Sequence, residues 1–247
     1  MASAPTRKQL ELAQREELLL DVAQKLLVQG GYVGLTMDRV AGASAYSKGT
    51  IYQHFRNKED LIAGLLARFG RVRVEYFSRA ATWSGTSRER MSAVGAAAEV
   101  YMTLHPEHDQ LEKILKSASI REKASEDRRE ALSSCEMHCF GVATGIAREA
   151  VAAGDLQLIE GDTIEQIVLG LWSLYTGAYL IRDLGVFDHA PPELRDPTKP
   201  LLRNSQRFLD GLGWRPFSSE HDYMESRMRV LTELFPSEAA EAGLLDA

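Results

Sequence analysis

The chain has 247 residues, 45% hydrophobic and 26% charged, which leaves material for one large domain or for a small one joined to a larger one. No apolar run approaches the roughly 18 residues of a membrane helix, and the charged start MASAPTRKQLELAQREELLL lacks the apolar block of a signal peptide. Two cysteines, Cys135 and Cys139, exclude a disulfide scaffold and point to a reducing cytoplasm. The net charge of −6 would argue against nucleic acid, but residues 1–58 hold eight basic and five acidic side chains, a net +3 that leaves −9 for the rest. A positive head on an acidic body is the pattern in which only the head meets phosphate.

Almost every segment reads helical, and no stretch alternates convincingly as a strand. Over residues 8–29, Leu12, Leu19, Val22, Ala23, Leu26 and Leu27 recur at helical spacing until Gly30-Gly31 stops the run. Short helices follow, then a long one over 58–81 that Ser84-Gly85-Thr86 ends. Further helices are predicted near 87–104, 106–119, 126–153, 162–184, 198–212 and 219–235, punctuated by His105-Pro106, Gly154-Asp155, Gly185, the loop 188–200 and the stretch 213–219. The first few and last ten residues read as disordered. The expected fold is all-α. An N-terminal three-helix helix-turn-helix domain occupies 1–57, a larger helical ligand-binding and dimerisation domain 58–236, and a tail 237–247.

Three helix starts crowd into one stretch. Thr36 can cap a helix between Leu35 and Val40, which hold the two positions of a hydrophobic staple. Ser47 can cap another between Tyr46 and Ile51 in the same way. Asn57 can cap a third, with Glu59 and Asp60 in the first turn at the positive end of the helix dipole. Two short helices joined by about three residues, Ser44 to Tyr46, match helix-turn-helix geometry. At 100° per residue the second of them buries Ile51 and Phe55. Gly49 and Gln53 lie opposite, flanked by Lys48, Thr50, Tyr52 and His54, with no acid from Ser47 to Arg56. Such a face can enter a major groove without repelling phosphate and offers donors to base edges, with Gln53 suited to a bidentate contact with adenine.

Residues 36–40, the run Tyr46-Ser47-Lys48-Gly49-Thr50-Ile51-Tyr52-Gln53-His54-Phe55 and the following Asn57-Lys58-Glu59-Asp60-Leu61 resemble the DNA-binding domain of the TetR family of transcriptional regulators. The resemblance covers about residues 10–65; the body matches only in its helical layout. It implies double-stranded operator DNA as partner. Thr36 and Lys58 would contact phosphate from helix N-termini. Ser47, Tyr52 and His54 would contact mainly backbone, while Lys48, Gly49, Thr50 and Gln53 face the bases. Where the family often has Gly-Val in the turn, this chain has Ala45-Tyr46. That departure would put Ala45 in a left-handed conformation and leave Tyr46 to pack or to reach phosphate. Arg7 and Lys8, ahead of the first helix, are either an arm along the DNA or a terminus without function.

In the body, Ile164, Ile167, Val168, Leu171, Leu174, Tyr175 and Ala178 form an apolar stripe on helix 162–184, with Gly170, Ser173 and Gly177 beside it. Leu201, Leu202, Ser205, Phe208, Leu209 and Leu212 form the partner stripe on 198–212. The expected role of Gly170, Ser173, Gly177, Leu201, Ser205 and Phe208 is a four-helix seam between two copies, a two-fold dimer matching a palindromic operator. The alternative is that the seam packs within one subunit. The resemblance further implies an inducer pocket in the middle helices, with Tyr101, His105, Met137, Phe140, Trp172, Tyr175 and Tyr179 as candidate lining and a small, largely apolar or aromatic effector. The alternative for each of these is a plain core residue.

Cys135, His138 and Cys139 share one helix face, where they are either small buried groups or a metal or redox site. Structural zinc wants four ligands, so no metal and no cofactor are expected. Gly-rich phosphate loops, Gly-x-Ser-x-Gly and His-Glu-x-x-His motifs are missing from the sequence, which argues against an enzyme. The expected function is a ligand-responsive transcriptional regulator, most simply a repressor that an inducer releases from its operator. A protein-interaction module retaining the helix-turn-helix without binding DNA is the other reading.

Overall fold

The computed structural model describes residues 6–115 and 118–245. Among these, every regular element is a helix: α1 (Arg7–Gly34), α2 (Met37–Ala43), α3 (Lys48–His54), α4 (Lys58–Ala81), α5 (Ser87–Leu104), α6 (Pro106–Leu115), α7 (Ala118–Lys123), α8 (Glu126–Ala153), α9 (Ile164–Asp183), α10 (Leu201–Gly211), α11 (Tyr223–Leu234) and α12 (Pro236–Glu241). Side-chain caps set many of the starts. Thr6, Thr86 and Thr163 close full capping boxes with Gln9, Glu89 and Gln166, each satisfying an N–H that the first helical turn leaves free.

Two sequence expectations are corrected at helix ends. Gly30-Gly31 does not stop α1. Gly31 takes φ 59°, a left-handed conformation open to glycine, and the helix resumes to Gly34. Nor is the C-terminal stretch featureless, since Pro236 opens α12 and Phe235 and Ala239 are fully buried.

The chain forms two compact units, one of residues up to Val72 together with Pro106–Glu136, the other of Arg73–His105 with residues from Met137 onward. In the first, α1 supplies Leu19, Leu20, Ala23, Leu26 and Leu27 to a core completed by Val40 of α2, Ile51 of α3, and Leu61, Leu65 and Phe69 of α4. Leu111, Ile120 and Leu132, from α6, α7 and α8, belong to the same cluster. Each fully buried side chain of this size contributes on the order of 1.5–3 kcal/mol.

In the second unit α5 packs on α11 and α12, and α9 on α10. Arg88 of α5 is fully buried; its guanidinium donates to the Gln206 and Trp214 carbonyls, meets Asp210 Oδ1 at 2.7 Å and lies over the Tyr223 ring at 4.8 Å. A charge at that depth is tolerated because these partners satisfy it. Arg227 and Glu99 clasp α11 to α5 through two hydrogen bonds of 2.8 Å.

By length and composition α9 is apolar enough to cross a membrane, at a mean hydropathy of 1.2 over 18 residues. This corrects the expectation that no segment would qualify. Its exposed face mixes Leu169, Trp172, Leu180 and Ile181 with Ser173 and Thr176.

Candidate nucleic-acid interface

The two helices of the motif start where their caps allow. Thr36 Oγ1 accepts from the Arg39 N–H at 3.2 Å and Ser47 Oγ from the Thr50 N–H at 3.2 Å. Leu35 and Val40 are fully buried in one core cluster, as are Ile51 and Phe55, so α3 is anchored from beneath. The turn between them needs no left-handed residue. Among the described residues only glycines have positive φ, so Ala45 is unstrained, contrary to the sequence expectation. Tyr46 packs partly into the core, with the Arg15 guanidinium 5.4 Å from its ring centroid.

Opposite the anchors, Lys48, Gly49, Tyr52 and Gln53 are exposed and Thr50 half-buried, its hydroxyl 3.0 Å from that of Ser47. No heavy atom beyond the Ser47 hydroxyl, at 3.8 Å, would lie within 4 Å of a Cβ at Gly49, so there is room at that position. Tyr52 and Gln53 border a polar concavity of about 370 Å³ that His54, Arg56, Asp60, Ser125, Asp127 and Arg128 complete. Around α3, then, lie hydroxyl, amide, guanidinium and carboxylate groups on an apolar footing.

Three of the expected contact residues already have neighbours within the chain. His54 has a side chain only 5% exposed, with Nδ1 3.8 Å from Glu16 of α1. Its Nε2 is buried without a hydrogen-bond partner among the described residues. Lys58 lays its ammonium 3.5 Å from the Tyr32 ring centroid and donates to the Tyr32 carbonyl, and burial lowers its pKa. Lys48 pairs with Asp38 of α2 at 2.5 Å, and the carboxylate holds its ammonium above the usual lysine value. Sequence reasoning missed the pairing of His54 with Glu16 and of Lys48 with Asp38. Both acids were counted in the net charge of residues 1–58, but spacing along α3 does not show which acids of other helices meet it.

The back of α3 is tied to the start of α8. Asp60 in the first turn of α4 is 2% exposed and accepts from the Arg56 N–H at 3.0 Å and from the Ser125 N–H and hydroxyl at 2.8 and 2.7 Å. Burial alone would raise its carboxyl, but these donors outweigh burial and hold it below the ordinary value. Arg128 meets Glu16 at 2.6 Å and lies 5.1 Å from the Phe55 ring centroid. Arg7 and Lys8 are inside α1 rather than ahead of it, and Arg7 pairs with Glu11 at 2.8 Å.

The expected pocket residues are spread over several contacts in the second unit. Tyr101 is buried, with ring centroids 5.3 Å from His105 and 5.9 Å from Tyr76. Phe140 and Trp172 sit 6.1 Å apart. Tyr175 hydrogen-bonds Ser205, and burial pushes its pKa up to about 12. Tyr179 is buried beneath Arg182, whereas Met137 is 64% exposed.

Of the expected seam residues, Leu201 and Ser205 are buried, Phe208 half-buried and Ser173 exposed. Gly170 packs on Phe208 of the same chain so closely that a Cβ would fall 2.7 Å from its ring, while Gly177 faces open space. Cys135 leans on Gly70 and the Ala67 carbonyl, His138 Nε2 is 3.2 Å from Ser78 Oγ, and Cys139 is buried.

Residues 19–65 match the family described as bacterial regulatory proteins of the tetR family. Over 47 residues the chain is 49% identical to an uncharacterised HTH-type transcriptional regulator, YhgD, of Bacillus subtilis strain 168, a match spanning 19% of this chain and 25% of that protein. The fold resembles a tetR-family regulatory protein from Rhodococcus RHA1 (TM-score 0.59, 15% identity, 81% of this chain and 98% of that one). It also resembles the transcriptional regulator FadR from Bacillus subtilis in complex with stearoyl-CoA (TM-score 0.57, 16% identity, 79% and 96%). At such identities these likenesses concern the fold.

Proposed function

From a helix-turn-helix that belongs to the TetR family of bacterial regulatory proteins, we propose that this chain is a ligand-responsive, DNA-binding transcriptional regulator, acting as a repressor on a palindromic operator. The observation that carries the reading is the outward face of α3. Lys48, Gly49, Tyr52 and Gln53 are exposed while Ile51 and Phe55 are fully buried beneath them. A rigid helix with donors outward and no acid of its own can seat in a major groove, its side chains reading base edges and its flanks meeting phosphate.

Two copies would place two such helices about 34–36 Å apart, one turn of duplex. The exposed apolar residues of α9, Leu169, Trp172, Leu180 and Ile181, are the surface we assign to that pairing. An effector would bind within the second unit among its aromatic side chains and release DNA by preferring the arrangement of heads that does not fit two successive grooves. Its class is small and largely apolar or aromatic; of the stearoyl-CoA held by the similarly folded FadR, the acyl chain alone has that character. Such a protein works in the cytoplasm without a cofactor. It is no enzyme.

Fluorescence anisotropy with the promoter region beside its own gene tests this. Nanomolar binding that weakens steeply with salt, against a much weaker scrambled duplex, is the expected result. Equal affinity for both duplexes refutes it.

A further inference from the structure

The exposed ion pair between α2 and α3 carries the inference. Asp38, at the second position of α2, reaches Lys48, the only lysine of α3, at 2.5 Å. Its neighbour Arg39 turns away to donate to the Gly34 carbonyl at 2.6 Å, so Asp38 is not neutralised from its own helix. Both partners are open to solvent, with side chains 55% and 72% exposed, and an ion pair so placed adds little to fold stability. What it does change is the charge presented beside the reading face, where α3 itself contributes no acid.

Building on the DNA-binding reading above, we propose that Asp38 determines sequence specificity by holding the Lys48 ammonium away from phosphate and leaving it to the bases. An ammonium carries three N–H donors, of which Asp38 takes one. A phosphate that approached Lys48 would meet the adjacent carboxylate, and a compensated charge releases no counterion from the duplex. The O6 and N7 acceptors of guanine carry no net charge, so they can take the two remaining donors without displacing Asp38. The carboxylate thereby suppresses the sequence-independent part of binding more than the base-reading part. The alternative role for Asp38, a first-turn acid that favours the dipole of α2, acts without Lys48.

A double-mutant cycle separates the two. Wild type, Asp38→Asn, Lys48→Gln and the double variant are titrated by anisotropy with the promoter operator and with a scrambled duplex of equal length, between 50 and 200 mM salt. Thermal melts verify that each variant is folded. Asp38→Asn is expected to tighten scrambled-duplex binding by about tenfold at 0.1 M salt and to steepen the log–log salt slope by about 0.9, the effect of one added phosphate contact. Operator binding changes less, so discrimination falls, and in the Lys48→Gln background the same substitution does nothing comparable. Unchanged discrimination in Asp38→Asn, or an equal effect with and without Lys48, overturns the inference alone. Wild-type protein that fails to discriminate the duplexes overturns the DNA-binding reading and this inference with it.

Discussion

A side chain contributes to a DNA surface by what it presents and by what already occupies it, and Lys58 illustrates both. Its ammonium rests on the Tyr32 ring and carbonyl at the start of α4, and on the DNA-binding reading it would have to leave them, or share them, to meet a phosphate at that helix terminus. Lys58→Ala is expected to weaken binding to operator and scrambled duplex alike and to flatten the salt slope by about 0.9. Loss of the cation–π contact should also lower stability by about 0.5–1 kcal/mol. A variant with a lower melting temperature but unchanged DNA binding would reduce Lys58 to a strut. At this scale the anchors were legible: Ile51 and Phe55, four apart, are both fully buried. His54 was not. Glu16 stands 38 positions earlier in the chain, and no periodicity within α3 shows that another helix will draw the imidazole inward.

Between elements, the joint of α3 and α4 is fastened to the start of α8 by Asp60, which satisfies the Arg56 N–H and both donors of Ser125. Removing a buried acceptor leaves those donors unpaired, and Asp60→Ala should lose about 1–3 kcal/mol near pH 7. The sign of the pH dependence follows from the carboxyl's depressed pKa. The stabilisation is present above the unfolded value, near 3.9, and is lost as pH falls through the lower folded value. Denaturant unfolding of wild type and variant between pH 7 and 3 should therefore show a gap that narrows toward acid. A constant gap would remove the carboxylate's charge from the account. Helix boundaries set by a cap or a breaker were readable, as for α4, α5 and α8, whose bounds coincide with the predicted ones. Gly31 misled because a glycine with φ 59° can kink a helix as well as end it.

Over the whole molecule, the sequence announced an all-helical chain with a positive head, and residues 19–65 match the family its motif resembles. It did not show that Leu111, Ile120 and Leu132 join the core of that head, because grouping residues 106–136 with it depends on contacts far apart in the chain. The residues marked for a pocket came with the family resemblance, which does not reveal that Met137 points to solvent while Tyr175 is bound to Ser205. Dimerisation is the property that belongs to this scale. The exposed Leu169 and Trp172 of α9 would be covered by a second copy. Sedimentation at micromolar concentration is expected to give a dimer for wild type and a monomer for Leu169→Glu. A monomeric wild type, or a variant that still pairs, would move the interface elsewhere.

The most direct test of the reading face is the sequence preference of Gln53→Ala, a variant of an exposed residue that leaves the Ile51 and Phe55 anchors in place. Selection from a randomised duplex pool, wild type beside variant, should show preference relaxed at one position in each half-site, by roughly 1–3 kcal/mol per base contact, with the rest of the site intact. Identical preferences for the two proteins would contradict the claim that the outer face of α3 reads DNA.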